Sequence, residues 1–302
     1  MYKNGLVYYL IGGTLLGARH KGFIPWDDDL DIAMPRYDYE RFLDICENEL
    51  NENYYLHCIR TDSKYWLPFA KVRKKNTLFD EANISKLNVK KGIYVDIFPL
   101  DKEFCENSRE KAFRTKIIKN LSAVLLDKIN FYNNGSKTFK LKLVRIIFYA
   151  FSSKSIQNLQ TKLMSKNNRK DCEYYVNYGS NYNTVKQTSP QSKYNPPVML
   201  EFEGGQYYAP NDYAYLLERI YGKAHFLQVS EIRSRQFAYA LQRNDPKHST
   251  RLALYLRELT KRAFYRQLQA QYHRPCRHRR CPCPHDRCGG RRQDCLLVVP
   301  LH

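Results

Sequence analysis

No stretch of this chain comes near the roughly 20 consecutive apolar residues that a membrane span needs. Its longest apolar run, Leu143–Phe151, is broken by Arg145. The first residues, MYKNGLVYYLIGGT, lack the apolar core and small-residue cleavage site of a secretory leader. A cytoplasmic location is the expectation. Acidic residues are scarce: 30 Asp and Glu against 50 Lys and Arg leave a net charge of +20. That excess suits a partner carrying phosphates, whether nucleotide, nucleic acid or anionic membrane face. Low-complexity disorder is excluded by 43% hydrophobic and 14% aromatic content over 302 residues, enough for one large domain with appendages. No internal repeat is present. Four cysteines, Cys46, Cys58, Cys105 and Cys172, are spread as reduced thiols would be.

Composition changes near residue 223. Residues 1–223 hold 24 Lys and 10 Arg, net +9; residues 224–302 hold 2 Lys and 14 Arg, net +11. The end of the chain carries Cys276, Cys281, Cys283, His285 and Cys288, but without the paired C-x2-C knuckles of common zinc sites. A basic arm for nucleic acid or acidic lipid is one reading. The switch from Lys to Arg favours another: a poorly ordered segment foreign to the domain before it. Leu252, Leu256 and Leu259 keep a helical period within 231–272.

In the first 223 residues the pattern predicts strands at Val7–Ile11, Leu30–Met34, Tyr54–Ile59, Trp66–Val72 and Ile93–Phe98. It predicts helices at Tyr37–Leu50, Lys111–Asp127 and Asp212–Tyr221, the last stopped by Gly222. Thr138–Met164 reads as a basic helix broken at Ser152-Ser153, and 167–197 as loop-rich. Strands and helices mix without regular alternation, so the expected class is α+β, a mixed sheet flanked by helices. The basic helix fits a solvated side or a peripheral contact with an anionic leaflet.

The informative segment is Gly12–Met34, GGTLLGARHKGFIPWDDDLDIAM. Asp29-Leu30-Asp31-Ile32 alternates acid and apolar residues. On a strand, Leu30 and Ile32 then face the core while Asp29 and Asp31 project together, with Cα atoms about 6.6 Å apart. Asp27 joins them if the strand starts early. Two carboxylates aimed at one place repel unless a cation or a shared proton intervenes, and hard oxygen ligands select Mg²⁺ or Mn²⁺. Asp96, between Val95 and Ile97, is a third acid that is costly to bury alone. A neighbouring strand would make it a third ligand. A D-x-D pair also fits a solvated strand end, and Asp96 also fits backbone hydrogen bonds. Upstream, Gly12-Gly13-Thr14 breaks a strand and can bring N–H groups against a phosphate. Joined to the acids, it reads as a nucleotidyltransferase-type site.

These residues resemble the LicD family of phosphocholine transferases, distantly similar to fukutin-type phosphotransferases. The resemblance runs through RHKGFIPWDDDLDIAMPR, then LPFAKVRKKNT (Leu67–Thr77), GIYVDIFPLD (Gly92–Asp101) and LEFEGGQYYAPNDYAYLLERIYG (Leu200–Gly222), covering about residues 4–223. It implies a nucleotidyltransferase-like catalytic domain over 1–223, ordinarily preceded by a helix for which this chain has little length before the first strand. It further implies a divalent metal on Asp29, Asp31 and Asp96, a phosphate loop of Gly12, Gly13 and Thr14, a CDP-linked donor such as CDP-choline, and a glycan acceptor. Nucleic acid is not an expected partner. Arg19, His20 and Lys21 are placed to meet phosphate oxygens, as are Lys71 and Arg73 on an alternating strand; each also fits a surface charge. Trp26 suits a quaternary ammonium by cation–π contact, and equally a packing role.

Overall fold

The computed structural model describes residues 4–24, 27, 29–79, 90–131 and 151–222. Trp26, the 138–150 part of the basic helix, the 231–272 leucine pattern and the whole 224–302 segment lie outside the described residues.

The architecture is α+β. Its elements, in chain order, are β1 (Tyr9–Leu10), α1 (Gly12–Arg19), β2 (Asp31–Pro35), α2 (Arg36–Glu49), β3 (Tyr54–His57), β4 (Ala70–Lys74), β5 (Tyr94–Glu103), α3 (Arg109–Phe131), α4 (Ser153–Met164), β6 (Tyr174–Val176), β7 (Thr188–Pro190), β8 (Val198–Phe202), β9 (Gly205–Ala209) and α5 (Tyr213–Tyr221). A mixed sheet runs β1-β2-β5-β4-β3, and β6 and β7 extend it from the far half of β5. Only β2 and β5 pair in parallel among the described strands; β8 and β9 form a separate hairpin.

Alternation explains the core. Ile32, Val72, Val95 and Ile97, from three adjacent strands, are buried in one cluster with Phe42, Leu43 and Cys46 of α2. Each such side chain contributes roughly 1.5–3 kcal/mol on leaving water. Leu30 joins them, as its place in the acid–apolar alternation predicts. Helix α3 is longer than expected, and its buried stripe is Ile118, Leu121, Val124 and Leu125. Ser152 is the predicted break: its hydroxyl accepts from Ser155 N at 3.1 Å and starts α4. Asp212 does the same for α5 through Tyr215 N, and Gly222 ends it. Cys46, Cys58, Cys105 and Cys172 are free thiols, and burial pushes Cys46 up to about 12.

Four expectations change. The first strand is only two residues long, because the chain turns into α1 at Gly12. The Trp66–Val72 strand starts only at Ala70. Pro68 has no N–H to give a ladder, and Trp66 packs instead with Leu121, Val124, Leu125 and Ile156 of α3 and α4. The fifth strand runs on to Glu103 because β6 pairs with its second half. The region 167–197 is not all loop: it contains β6, β7 and a 3-10 turn at Gln191–Lys193.

Beneath β3 and β4 lies a buried polar chain. Arg73, 1% exposed, donates Nε to His57 Nδ1 at 2.9 Å and Nη1 to Gly92 O at 2.7 Å. The other imidazole nitrogen lies 3.1 Å from Asp62 Oδ2. Nδ1 can accept only if the ring is neutral. Burial, then the Arg73 charge, lowers His57 to about 4. The unfolded chain therefore binds this proton more tightly than the fold does, and stability drains away as pH falls from about 6.5 to about 4. Over that interval His57 costs the fold about 3 kcal/mol. Urea unfolding of wild type and His57→Gln at pH 7 and pH 4 checks this: the wild type should lose about 3 kcal/mol more than the variant. Parallel losses would contradict it.

Candidate active site

Strand register assembles the acids. Asp31 of β2 stands opposite Asp96 of β5, and Asp96 stands opposite Lys71 of β4. The three side chains share one face of the sheet in a row across three strands. His57 of β3 extends the row beyond Lys71. Asp29, just ahead of β2, is drawn in because Asp96 N donates to Leu30 O at 2.8 Å. As a result one carboxylate oxygen each from Asp29, Asp31 and Asp96 lie within 4.8 Å of one another. Acid–apolar alternation anticipated that Asp29 and Asp31 project together; the pairing of β2 with β5 brings Asp96 to them.

Helix α1 braces the cluster. Thr14 Oγ1, fully buried, accepts from Asp31 N at 2.8 Å. Ile11 N donates to Asp31 O at 3.2 Å. Gly12 has φ +59°, and a Cβ there would stand 2.9 Å from Asp31 Oδ2; at Gly13 it would stand 2.3 Å from Asp27 Oδ2. Any side chain at either position would displace a carboxylate. The Gly-Gly-Thr segment is thus the first turn of a helix, set hard against Asp27 and Asp31. Its N-terminal dipole favours negative charge at that place.

The electrostatics are those of crowded like charges. Burial, then Asp29, Asp96 and Asp27, push Asp31 well above the usual carboxylate range, with Lys71 pulling the other way. Burial also raises Asp96, again against Lys71. The Lys71 ammonium, itself 4% exposed, lies 2.8 Å from Asp96 Oδ1 and donates its hydrogen bond to Oδ2 at 3.0 Å. It also sits 3.4 Å from the centroid of the Tyr94 ring. Asp31 Oδ1 is buried without a hydrogen-bond partner, while Asp96 Oδ1 is ion-paired with Lys71. These oxygens, beside a third carboxylate, form a hard donor set that fits a divalent cation such as Mg²⁺ or Mn²⁺.

The remaining sequence candidates fall in different places. Lys71 is in the site, yet committed to Asp96. Arg73 is committed to His57 and Gly92. Arg19, His20 and Lys21 come at the other end of α1, about 10 Å along its axis from Gly12. Lys21 is exposed and pairs with Glu201 of β8 at 3.2 Å. Sequence reasoning passed over Tyr221, in the last turn of α5. Burial and Tyr182 raise its phenol pKa most, and the charges of Asp27 and Asp31 add to the rise. Nothing local distinguishes it among 25 tyrosines. It also passed over Asp101, fully buried at the other end of the parallel pair. There the Arg36 guanidinium grips it with Nε and Nη2 at 2.8 and 2.7 Å.

Acids carried on adjacent strands, next to the N-terminus of a short helix, are the arrangement expected of a nucleotidyltransferase-type domain. The family described as LicD/FKTN/FKRP, nucleotidyltransferase domain, matches residues 5–132. A lipopolysaccharide cholinephosphotransferase, LicD, of Haemophilus influenzae (strain ATCC 51907 / DSM 11121 / KW20 / Rd) is 31% identical over 219 residues, covering 71% of this chain and 80% of that protein. Shorter matches join it to uncharacterised proteins of Rickettsia prowazekii (strain Madrid E), 36% identical over 75 residues, and Rickettsia typhi (strain ATCC VR-144 / Wilmington), 52% over 44 residues. These cover 18% and 14% of this chain and 28% and 14% of the relatives. The chain belongs to the LicD family and is an enzyme of the phosphotransferase class.

The ion pair within the row has a measurable weight. Lys71→Met strips Asp96 and Asp31 of their nearest cation and should cost about 3 kcal/mol in urea unfolding without added metal. Lys71→Met combined with Asp96→Leu should recover most of it, since no unpaired charge is then left at the centre of the row. A single-variant cost below about 0.5 kcal/mol would contradict the pairing.

Proposed function

We propose that this enzyme transfers phosphocholine from CDP-choline to a hydroxyl of a lipopolysaccharide-type surface glycan, releasing CMP. The observation that carries the reading is the trio Asp29, Asp31 and Asp96, with the buried Asp31 Oδ1 left without a hydrogen-bond partner. The choice of phosphocholine leans on the relative whose printed name is a lipopolysaccharide cholinephosphotransferase and of which this chain covers 80%.

Asp29, Asp31 and Asp96 are the residues that would hold Mg²⁺ or Mn²⁺. A divalent cation bound there supplies charge neutralisation for the donor diphosphate and for the phosphate that departs. The chain does the rest by position. Lys71 keeps the Asp96 carboxylate in place. Thr14 anchors the start of β2, so Asp31 cannot swing away. Gly12 and Gly13 let the N-terminus of α1, an anion-favouring end, stand within reach of the diphosphate. The acceptor hydroxyl oxygen forms a bond to the phosphorus bearing choline. The bond from that phosphorus to the bridging oxygen breaks, and its electron pair leaves on CMP. Asp27, outside the metal-holding trio, receives the hydroxyl proton. Such transfers have little covalent work for the protein, so placement of charge dominates.

The test is CMP release with lipopolysaccharide as acceptor and a donor panel of CDP-choline, CDP-ribitol and CDP-glycerol. CDP-choline should be the donor used, and EDTA should abolish turnover. Asp29→Ala and Asp31→Ala should each lower release by about a thousandfold, the loss of several kcal/mol of charge stabilisation, with unchanged far-UV circular dichroism. Full turnover in EDTA would refute the metal role; preference for CDP-ribitol or CDP-glycerol would refute the donor.

A further inference from the structure

Tyr221, near enough to Asp27 and Asp31 to feel their charge, pairs with the ring of Tyr182, and the chemistry above leaves both rings unused. Tyr221 ends α5, and Tyr182 comes from the turn between β6 and β7. Their ring centroids are 5.8 Å apart and their planes cross at 84°, forming an aromatic corner. Tyr182 is 45% exposed, so one wall of the corner opens to solvent. Its place relative to the acids follows from the packing. Ile220, the residue before Tyr221, lines a small cavity together with Gly12 and Lys186. Gly12 in turn is the residue whose Cβ would stand 2.9 Å from Asp31 Oδ2. Lys186 closes that side by donating Nζ to Ile220 O at 3.2 Å.

We propose that the Tyr182–Tyr221 corner is the subsite for the donor's quaternary ammonium head, placing the choline beside the carboxylates that gather around its phosphate. The proposal rests on the phosphocholine reading and assigns the residues that select the alcohol. A trimethylammonium group has no N–H to donate, so hydrogen-bonding side chains cannot recognise it. It needs ring faces within about 6 Å and negative charge nearby. The corner supplies the first, and Asp27, outside the metal-holding trio, supplies the second. Asp27 and Asp31 both contribute to the raised phenol pKa of Tyr221, which agrees with their proximity. Ribitol and glycerol, rich in hydroxyls and without charge, gain nothing from such a corner. A primary ammonium would lose its hydrogen-bonded water there without replacement.

The test reads the ligand directly. Phosphocholine is titrated against the full chain in the presence of Mg²⁺, and its N-methyl proton resonance is followed by NMR. Ring faces shift these protons upfield, a signature that a merely structural tyrosine would not give. Wild type should show the shift with saturable binding. Tyr182→Phe should keep both within about twofold, because the ring remains. Tyr182→Ala should weaken binding about tenfold and remove most of the shift. Glycerol phosphate should bind wild type and Tyr182→Ala alike. No upfield shift in wild type, or equal phosphocholine binding by Tyr182→Ala, would overturn the assignment. CMP release from CDP-choline, measured on the same wild-type sample, separates this outcome from a failure of the transfer reaction. A corner that binds phosphocholine in a protein that releases no CMP would leave the subsite standing and the reaction refuted.

Discussion

Like charges do not gather in a protein interior unaided. Here the β2–β5–β4 register forces two carboxylates and one ammonium into a single row, and the turn before β2 adds a third carboxylate. Lys71 offsets one negative charge and leaves an excess. Much of the surrounding structure keeps that excess in place. The Thr14 hydroxyl fixes the start of β2, the Leu30 carbonyl binds it to β5, and two glycines let α1 approach. A one-residue slip of β2 would turn Asp31 into the core and Ile32 out of it, so the apolar face and the charged face specify the same register.

That coupling explains which features can be read from the residues alone. Asp29-Leu30-Asp31-Ile32 announces both strand and paired acids because period-2 alternation is a local property. Asp96 between Val95 and Ile97 announces an acid that needs partners, for the same reason. The identity of those partners is not local. Alternation puts Lys71 and Arg73 on one face of β4, but only the pairing with β5 and β3 separates their fates. Lys71 meets Asp96, while two residues along Arg73 meets the neutral nitrogen of His57. Both read equally well as phosphate contacts until the neighbouring strands are in view.

The glycine pair teaches a related lesson. Gly-Gly-Thr after a strand suggests a bend that cradles a phosphate, and the segment does lie at the centre of the site. In the fold it is the first turn of α1, and the space beside it is occupied by Asp27 and Asp31. The requirement for glycine is legible; what crowds it is not, because the crowding atoms come from Asp31, 19 residues after Gly12, and Asp27, 14 residues after Gly13. Tyr182 and Tyr221 mark the other limit. They are 39 residues apart, follow no period, and meet because α5 packs against the segment between β6 and β7. The basic excess of the whole chain suggests a phosphate-carrying partner, yet many of the described lysines and arginines are spent on carboxylates and carbonyls within the fold.

The central claim is that the excess negative charge of the row is a divalent-cation site. Mn²⁺, whose free form has a sharp electron paramagnetic resonance signal, tests it without any substrate. Titrated into the metal-free protein, Mn²⁺ should lose that signal to one site per chain, and Asp31→Asn or Asp96→Asn should weaken this binding by at least about tenfold, the loss of one charged ligand. An undiminished free-ion signal with wild type, or equal binding by the asparagine variants, would contradict it.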